Sequence, residues 1–194
     1  MAKRGDLASA EAAGRRFHSM KARGTLIRRF PLTETSLIVH WCTHESGIVK
    51  TVAKGARRPK SPFAGRLDLF YRCELEIHPA REGDLHLLKD LTVESPRLGL
   101  RRNYLQTLAA SYFVKWIDLV AEGGTPLPDL ADLLDRGLDY LDGRDADLRA
   151  VRHYEKQLAD LLGVAEPGIE PHRSLGHHFG GVPPQRGELM DRIG

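Results

Sequence analysis

A run of cations without carboxylates is the most distinctive chemical feature of this sequence. No aspartate or glutamate occurs between Glu45 and Asp68, a stretch that contains the string VAKGARRPKSPFAGR. Its basic side chains are Lys50, Lys54, Arg57, Arg58, Lys60 and Arg66. Clustered lysines and arginines raise the local concentration of a polyanion and pair with its phosphates. The stretch therefore predicts a surface for nucleic acid or an anionic membrane, with an acidic protein as the weaker alternative.

The charge of the whole chain divides at the end of this stretch. Residues 1–66 contain fourteen basic and four acidic side chains, a net charge of +10. Residues 67–194 have a net charge of −7, which brings the 194-residue chain to +3. Two parts of opposite charge indicate two parts with different tasks. At this length the chain can form two small domains, each with its own core.

Composition narrows the class of protein. The only cysteines are Cys42 and Cys73, which is too few for a disulfide framework. No apolar run approaches the roughly 18 residues of a membrane span. Residues 1–19 are basic and alanine-rich and lack the apolar block of a secretory signal, so we expect a disordered basic extension, with Met20 a plausible start of the folded chain. These features predict a cytoplasmic protein that is not embedded in a membrane.

The first folded part has the pattern of a small β-domain, in which short apolar runs are separated by turn residues. The predicted strands are residues 25–31, 35–43, 47–54, 70–78 and 85–92. In the third of them, alternation places Lys50, Val52 and Lys54 on one face and Val49, Thr51 and Ala53 on the other. Five strands with a long connection after the third predict a five-stranded oligonucleotide-binding (OB) barrel over residues 20–95.

The second part is predicted to be helical over residues 96–166. Apolar residues spaced by three and four predict a central helix over 98–121, with Tyr112 and Trp116 in the core. Further helices are predicted over 128–143 and 147–162, each followed by or ending at a glycine. Residues 167–194 are rich in glycine, proline and histidine and lack periodicity, so we expect a largely unstructured tail. The fold class is therefore α+β, a barrel followed by an α-helical domain.

Three aromatic side chains near the basic stretch could stack on bases, as aromatics do on single-strand platforms. They are Trp41, Phe63 and Phe70. For Trp41 and Phe70 a place in the core is the favoured alternative, whereas Phe63 lies between Pro62 and Ala64 and could serve either purpose.

Catalytic chemistry finds little support in the sequence. The stretch from Gly55 to Ser61 contains Lys-Ser, but its spacing from glycine does not fit a nucleotide-binding loop. Asp129, Asp132, Asp135 and Asp139 could suggest metal-binding carboxylates, yet their spacing matches the polar face of an amphipathic helix. The histidines near the strands have no evident nucleophile beside them. We expect no enzyme and no cofactor.

Three segments resemble the RecO family of bacterial recombination mediators. They are RRFPLTETSLIV from Arg28, HESGIVKTVAKGARRPKSPFAG from His44, and SYFVKWIDL from Ser111. The resemblance covers roughly residues 20–163 in order, and its most specific element is the string VAKGARRPKS. It implies an OB barrel followed by a helical domain, in agreement with the fold predicted from the residue patterns.

The resemblance also implies a function and partners. Proteins of this family bind single- and double-stranded DNA, anneal complementary strands, and help load RecA together with RecR on DNA coated with single-stranded-DNA-binding protein. The implied location is the cytoplasm, in association with the nucleoid. The DNA-binding residues expected here are Arg28, Arg29, Lys50, Lys54, Arg57, Arg58, Lys60, Phe63 and Arg66. The alternative is a non-enzymatic adaptor whose basic face binds an acidic protein or a membrane.

One feature of the family is missing from this sequence. Many RecO-like proteins carry a four-cysteine zinc site in the helical domain, but no cysteine follows Cys73. The tail offers only His172, His177 and His178 as imidazole ligands, and tetrahedral zinc takes four ligands. We therefore expect no metal site, and a reduced carboxy-terminal part.

Overall fold

The computed structural model describes residues 19–121 and 128–193. Its first part contains the strands β1 (Met20–Pro31), β2 (Leu37–Thr43), β3 (Gly47–Ala53), β4 (Arg72–His78) and β5 (Leu85–Ser95). The strands form a closed barrel in the order β1-β2-β3-β5-β4. Only the β3–β5 pair is parallel, and the other pairs are antiparallel. The predicted five-stranded OB barrel is confirmed.

The interior of the barrel is apolar, as strand alternation requires. Trp41 is fully buried there, and its indole N–H donates to Thr51 Oγ1 at 2.9 Å, so its polar atom is satisfied. In β3, Val49, Thr51 and Ala53 point inward and Lys50 and Val52 outward, which confirms the predicted faces. Residues 54–71 connect β3 to β4 across one end of the barrel.

The second part begins with a short 3₁₀ helix (Leu98–Arg101) and continues with five α-helices. These are α1 (Tyr104–Val120), α2 (Pro128–Gly143), α3 (Leu148–Leu161), α4 (Pro171–His178) and α5 (Gln185–Ile193). The predicted central helix is interrupted before Tyr104 because Asn103 caps α1, its side chain accepting from the Gln106 N–H at 2.9 Å. Tyr112 and Trp116 are fully buried, as predicted.

The prediction of a largely unstructured tail is wrong for residues 171–178 and 185–193, which are helical. Leu175 and Leu189 are fully buried in the helical core. Arg186 of α5 donates to the buried carboxylate of Glu155 at 2.7 Å, and the Tyr112 hydroxyl donates to the same oxygen at 2.6 Å. Helices this short have too few apolar residues for a visible periodicity, and packing on the rest of the domain stabilises them.

The core of the helical part extends onto the outside of the barrel. Ile27, Cys42 and Phe70 lie on the outside of the barrel and are buried among the helical residues. One region of the outer barrel surface is therefore covered by helices, and the remainder of the face formed by β1, β2 and β3 stays open. The predicted extension at residues 1–19 lies outside the described residues except for Ser19.

Candidate nucleic-acid interface

The open face of the barrel carries a row of basic side chains that strand pairing brings together. Arg28 of β1 pairs with His40 of β2, and His40 pairs with Lys50 of β3. A β-bulge at Ile27 decides where Arg28 points. Without the extra residue, Arg28 would follow Leu26 into the barrel interior, since alternate residues share a face. The bulge instead brings Arg28 onto the outer face beside His40.

A second row, of apolar and aromatic side chains, runs next to the first. Phe30 pairs with Ile38, Ile38 with Val52, and Val52 with Leu87 of β5. Phe30 is 37% exposed and meets the His40 ring edge-on, with the ring centroids 5.3 Å apart. A partly exposed aromatic pair flanked by cations has the composition of a base-stacking platform.

These aromatics differ from those considered in the sequence analysis. Trp41, Phe63 and Phe70 are all buried, at 0%, 5% and 3% exposure. The assignment of Phe63 as a DNA-contacting residue is therefore corrected, because its ring packs from the β3–β4 connection into the barrel core. Neighbouring residues of a strand point to opposite faces, so an inward Trp41 already implies an outward His40. The position of Phe30 beside His40 depends on the bulge and on the register of β1 and β2.

The basic segment, which we define as residues 54–60, is a series of tight turns. The N–H of Arg58 donates to the Gly55 carbonyl, and that of Ser61 to the Arg58 carbonyl, each at 3.0 Å. Gly55 has φ +69°, a conformation that favours glycine. Arg57 joins the segment to the β1–β2 loop, since its N–H donates to the Thr35 carbonyl at 2.9 Å and its guanidinium to the Thr33 carbonyl at 3.1 Å. The chain geometry thus holds the cations at the barrel surface.

Ion pairing separates the predicted cations into two groups. Arg28 pairs with Asp118 at 3.1 Å, Arg29 with Asp68 at 3.0 Å, Lys50 with Asp84 at 2.6 Å, and Arg66 with Asp90 at 3.3 Å. Arg66 also donates to the carbonyls of Pro62 and Leu91, so it fastens the connection to β5. Within the described residues, the four cations of the basic segment, Lys54, Arg57, Arg58 and Lys60, form no ion pair with a carboxylate.

The electrostatics of the open face favour an anionic ligand. Burial lowers the pKa of His40, and the nearby charges of Arg28 and Lys50 lower it further, although Asp118 and Asp84 act in the opposite direction. Burial is the larger cause of this shift, and the contribution of Arg28 and Lys50 shows that both cations repel a proton at the ring. An arriving phosphate would relieve that repulsion.

A buried arginine fixes the barrel against the helical domain. Arg97 is 1% exposed and donates to Asp135 and to Asp139, each at 2.7 Å. It also donates to Thr25 Oγ1 and to the Phe70 carbonyl, each at 3.0 Å. Both Arg97 and Phe70 have positive φ values, 41° and 71°, which are strained for residues other than glycine. The hydrogen bonds of Arg97 hold this joint in place.

The sequence predicted that the aspartates of α2 lie on the polar face of an amphipathic helix, and this holds for only some of them. Asp132 lies on the polar face and pairs with Arg136, as expected of an amphipathic helix. Asp135, however, is 8% exposed and also accepts from Thr25 Oγ1 at 2.6 Å. Burial alone would raise the pKa of Asp135, but the charge of Arg97 and the hydrogen bonds from its neighbours lower it below the ordinary value. This carboxylate joins the two parts of the protein.

A groove of about 690 Å³ lies on the helical domain between α2 and α3. Its rim carries Arg136, Arg144, Arg149 and Arg152. Its floor includes Phe113 and Tyr154, whose rings stack 3.8 Å apart. Gly137 keeps the floor open, because a Cβ there would approach both rings to 3.0 Å. The overall acidity of this half gave no indication of such a cationic groove.

Residues 19–121 and 128–193 offer neither a metal site nor a membrane-spanning helix. These ranges contain no group of three or more His, Cys, Asp or Glu side chains arranged to hold a metal ion. No helix in them combines the length and apolar composition needed to cross a bilayer.

Fold and site define a protein built from an oligonucleotide-binding barrel with a cationic outer face and a helical domain fixed to it. The family model "Recombination protein O N terminal" matches residues 18–97. Residues 18–97 therefore form an amino-terminal domain of the RecO type.

Curated relatives extend the similarity into the helical domain. The chain is 29% identical over 138 residues to a protein of Rhodopirellula baltica, covering 71% of the chain and 51% of the relative. It is 28% identical over 178 residues to a protein of Pelobacter propionicus, with coverages of 90% and 72%. It is 33% identical over 150 residues to a protein of Gloeobacter violaceus, with coverages of 75% and 56%. Each relative is named "DNA repair protein RecO". The chain thus aligns with about half to three-quarters of their length.

Proposed function

We propose that this chain is a DNA-binding mediator of recombinational DNA repair, acting as a binding protein rather than an enzyme. The observation that carries the proposal is the open barrel face, where Phe30 and His40 lie between cations and next to the basic segment. Phosphates would pair with the cations, while unpaired bases would stack on the aromatic row. Because the charged side chains contact the phosphates of the DNA backbone, binding depends little on base sequence.

Strand annealing follows from the same surface. Two DNA strands repel each other through their phosphates, and cations that neutralise both strands reduce that repulsion. The four basic-segment side chains project from turns at the end of the barrel, so they can reach a second strand while the open face holds the first. Duplex DNA, which offers phosphates but no free bases, would use the basic segment alone.

Protein partners are proposed on separate grounds. The RecO-type amino-terminal domain and the similarity to RecO proteins favour RecR and single-stranded-DNA-binding protein as partners. The arginine-rimmed groove between α2 and α3 supports docking on the helical domain, since it suits a segment that combines carboxylates with an apolar side chain. In the alternative function, a non-enzymatic adaptor, the basic face would bind an acidic protein or an anionic membrane.

An annealing assay tests the proposed function. The purified chain is expected to accelerate pairing of complementary oligonucleotides, measured by fluorescence quenching between labelled strands, and RecR is expected to change the rate. Retention on oligonucleotide and on anionic vesicles at increasing salt would be compared in parallel. Binding to vesicles without binding to DNA would favour the adaptor and contradict the mediator.

Asp84 gives a prediction in which affinity increases. Its carboxylate forms an ion pair with Lys50 at 2.6 Å, and the Asp84 side chain is 75% exposed. A DNA phosphate that binds Lys50 must therefore displace this carboxylate. Asp84→Asn is expected to strengthen single-strand binding roughly two- to fivefold, in line with the strength of an exposed ion pair. Fluorescence anisotropy with a labelled oligothymidylate measures the change.

The matched control is Asp145→Asn, which removes the same charge from an exposed position of the helical domain. Equal affinities for the two variants would mean that only net charge matters and that Lys50 does not contact DNA.

A further inference from the structure

A pocket at the β5 side of the open barrel face continues the apolar row. The row that runs from Phe30 through Val52 reaches Leu87, and Leu87 pairs in turn with His78 of β4. Val52, Leu87 and His78 all line a pocket of about 460 Å³ between the end of β3 and the β4–β5 loop. The pocket is therefore part of the same surface as the aromatic platform, and Lys54 of the basic segment lies on its rim.

The lining of this pocket combines an apolar floor with a cationic rim. Val52, Leu85, Leu87 and Pro79 supply apolar surface. Lys54 and Lys89 supply ammonium groups. No aspartate or glutamate occurs among the described residues that line it. Lys89 is 53% exposed at its side chain and pairs with Glu76 at 2.7 Å.

His86 adds a hydrogen-bond donor of fixed orientation. Its Nδ1 accepts from the Ala80 backbone N–H at 3.1 Å, so in the neutral ring the proton is on Nε2. That N–H is the donor which the ring can offer to a ligand. An apolar floor for a ring system, ammonium groups and an N–H donor together match a nucleotide, with its base on the floor and its phosphate at the rim.

We infer that this pocket is a nucleotide subsite for single-stranded nucleic acid, in which Lys54, His86 and Lys89 hold a phosphate and Val52 and Leu87 receive an unpaired base. The inference rests on the proposed function, because it extends the strand path from the aromatic row across β3 to β5. It assigns a role to the β4–β5 loop and to β5, in which the residue patterns predicted no DNA-binding side chain. A paired base cannot lie on the floor, so the subsite distinguishes single strands from duplex.

Crosslinking on the unmodified protein tests the position of the strand. An oligothymidylate containing 4-thiothymidine is irradiated with the chain, and crosslinked peptides are identified by mass spectrometry. Crosslinks are expected within residues 78–89 as well as near Phe30. Crosslinks near Phe30 with none in 78–89, or an equal yield in 78–89 from a fully paired duplex, would overturn the inference.

Substitution tests the phosphate contacts. His86→Gln with Lys89→Gln is expected to weaken oligothymidylate binding about tenfold and to reduce the slope of log affinity against log salt by about 0.7, because it removes the charge of Lys89. The control pair is Lys156→Gln with Arg192→Gln, two exposed cations that also form ion pairs but lie on α3 and α5.

Two measurements distinguish failure of the proposed function from failure of the nucleotide subsite. If the unmodified chain binds no single-stranded DNA, the proposed function fails. If it binds, and the His86/Lys89 variant remains folded with unchanged affinity and salt slope, only the nucleotide subsite is wrong.

Discussion

A variant with Lys54, Arg57, Arg58 and Lys60 changed to alanine is expected to lose most of its affinity for single-stranded DNA while remaining folded. These four side chains are exposed and form no ion pair within the described residues, so each is available to a phosphate. Each lost contact removes roughly 0.7 from the salt slope on a single strand, so four contacts remove about 3. Affinity titrations at several salt concentrations measure both quantities.

The loss should be similar for oligonucleotides of unrelated sequence, because the contacts are to the backbone. Annealing should decline with it. Folding should survive, since exposed cations contribute little to stability, although Arg57 also donates to the Thr33 carbonyl and its loss could loosen the β1–β2 loop. Circular dichroism and a melting curve establish that the variant is folded.

The control for this variant removes four positive charges from the helical domain instead of the barrel. Arg136, Arg144, Arg149 and Arg152 line the groove of the helical domain, and their replacement by alanine is expected to affect DNA binding little. An equal loss of DNA affinity in both variants would show that DNA binding is not localised on the barrel. Unchanged affinity and slope in the basic-segment variant would refute the role of that segment.

The second large effect concerns stability. Arg97→Met is expected to reduce the free energy of unfolding by about 3–5 kcal/mol, because it leaves the buried Asp135 carboxylate without its main partner. Urea denaturation measures the change. Arg102→Met is the control, since Arg102 is exposed and its only ion pair within residues 19–121 and 128–193, to Asp145, is long at 3.9 Å. A loss of less than about 1 kcal/mol for Arg97→Met would show that the joint does not depend on this residue.

A double variant separates the cost of an unpaired charge from the loss of a favourable pair. Arg97→Met with Asp135→Leu removes both charges, and much of the lost stability is expected to return. The lowered pKa of Asp135 adds a pH dependence. The contribution of the ionised Asp135 carboxylate to the free energy of unfolding is fully present above the pKa of an unfolded aspartate, about 3.9. It is lost as the pH falls through the lower pKa of Asp135 in the folded protein.

Local patterns in the sequence determined the elements and the class of fold. Alternation in β3 predicted which of its residues face inward, and the period of α2 together with Pro128 and Gly143 predicted both ends of that helix. Charge counting located the basic segment without reference to any fold. These features depend on residues close together in the chain, where hydrophobic period and turn chemistry dominate.

Only the tertiary structure decided which side chains are available at the site. Arg66 and Phe63 belong to the same basic stretch as Lys60, yet one fastens the connection to β5 and the other fills the barrel core. Arg28 reaches the open face because of a bulge, and Phe30 meets His40 because of the register between β1 and β2. The α4 and α5 helices form because Leu175, Leu189 and Arg186 find partners in α1 and α3. Each of these outcomes depends on contacts between residues far apart in sequence, and a local period carries no information about such contacts.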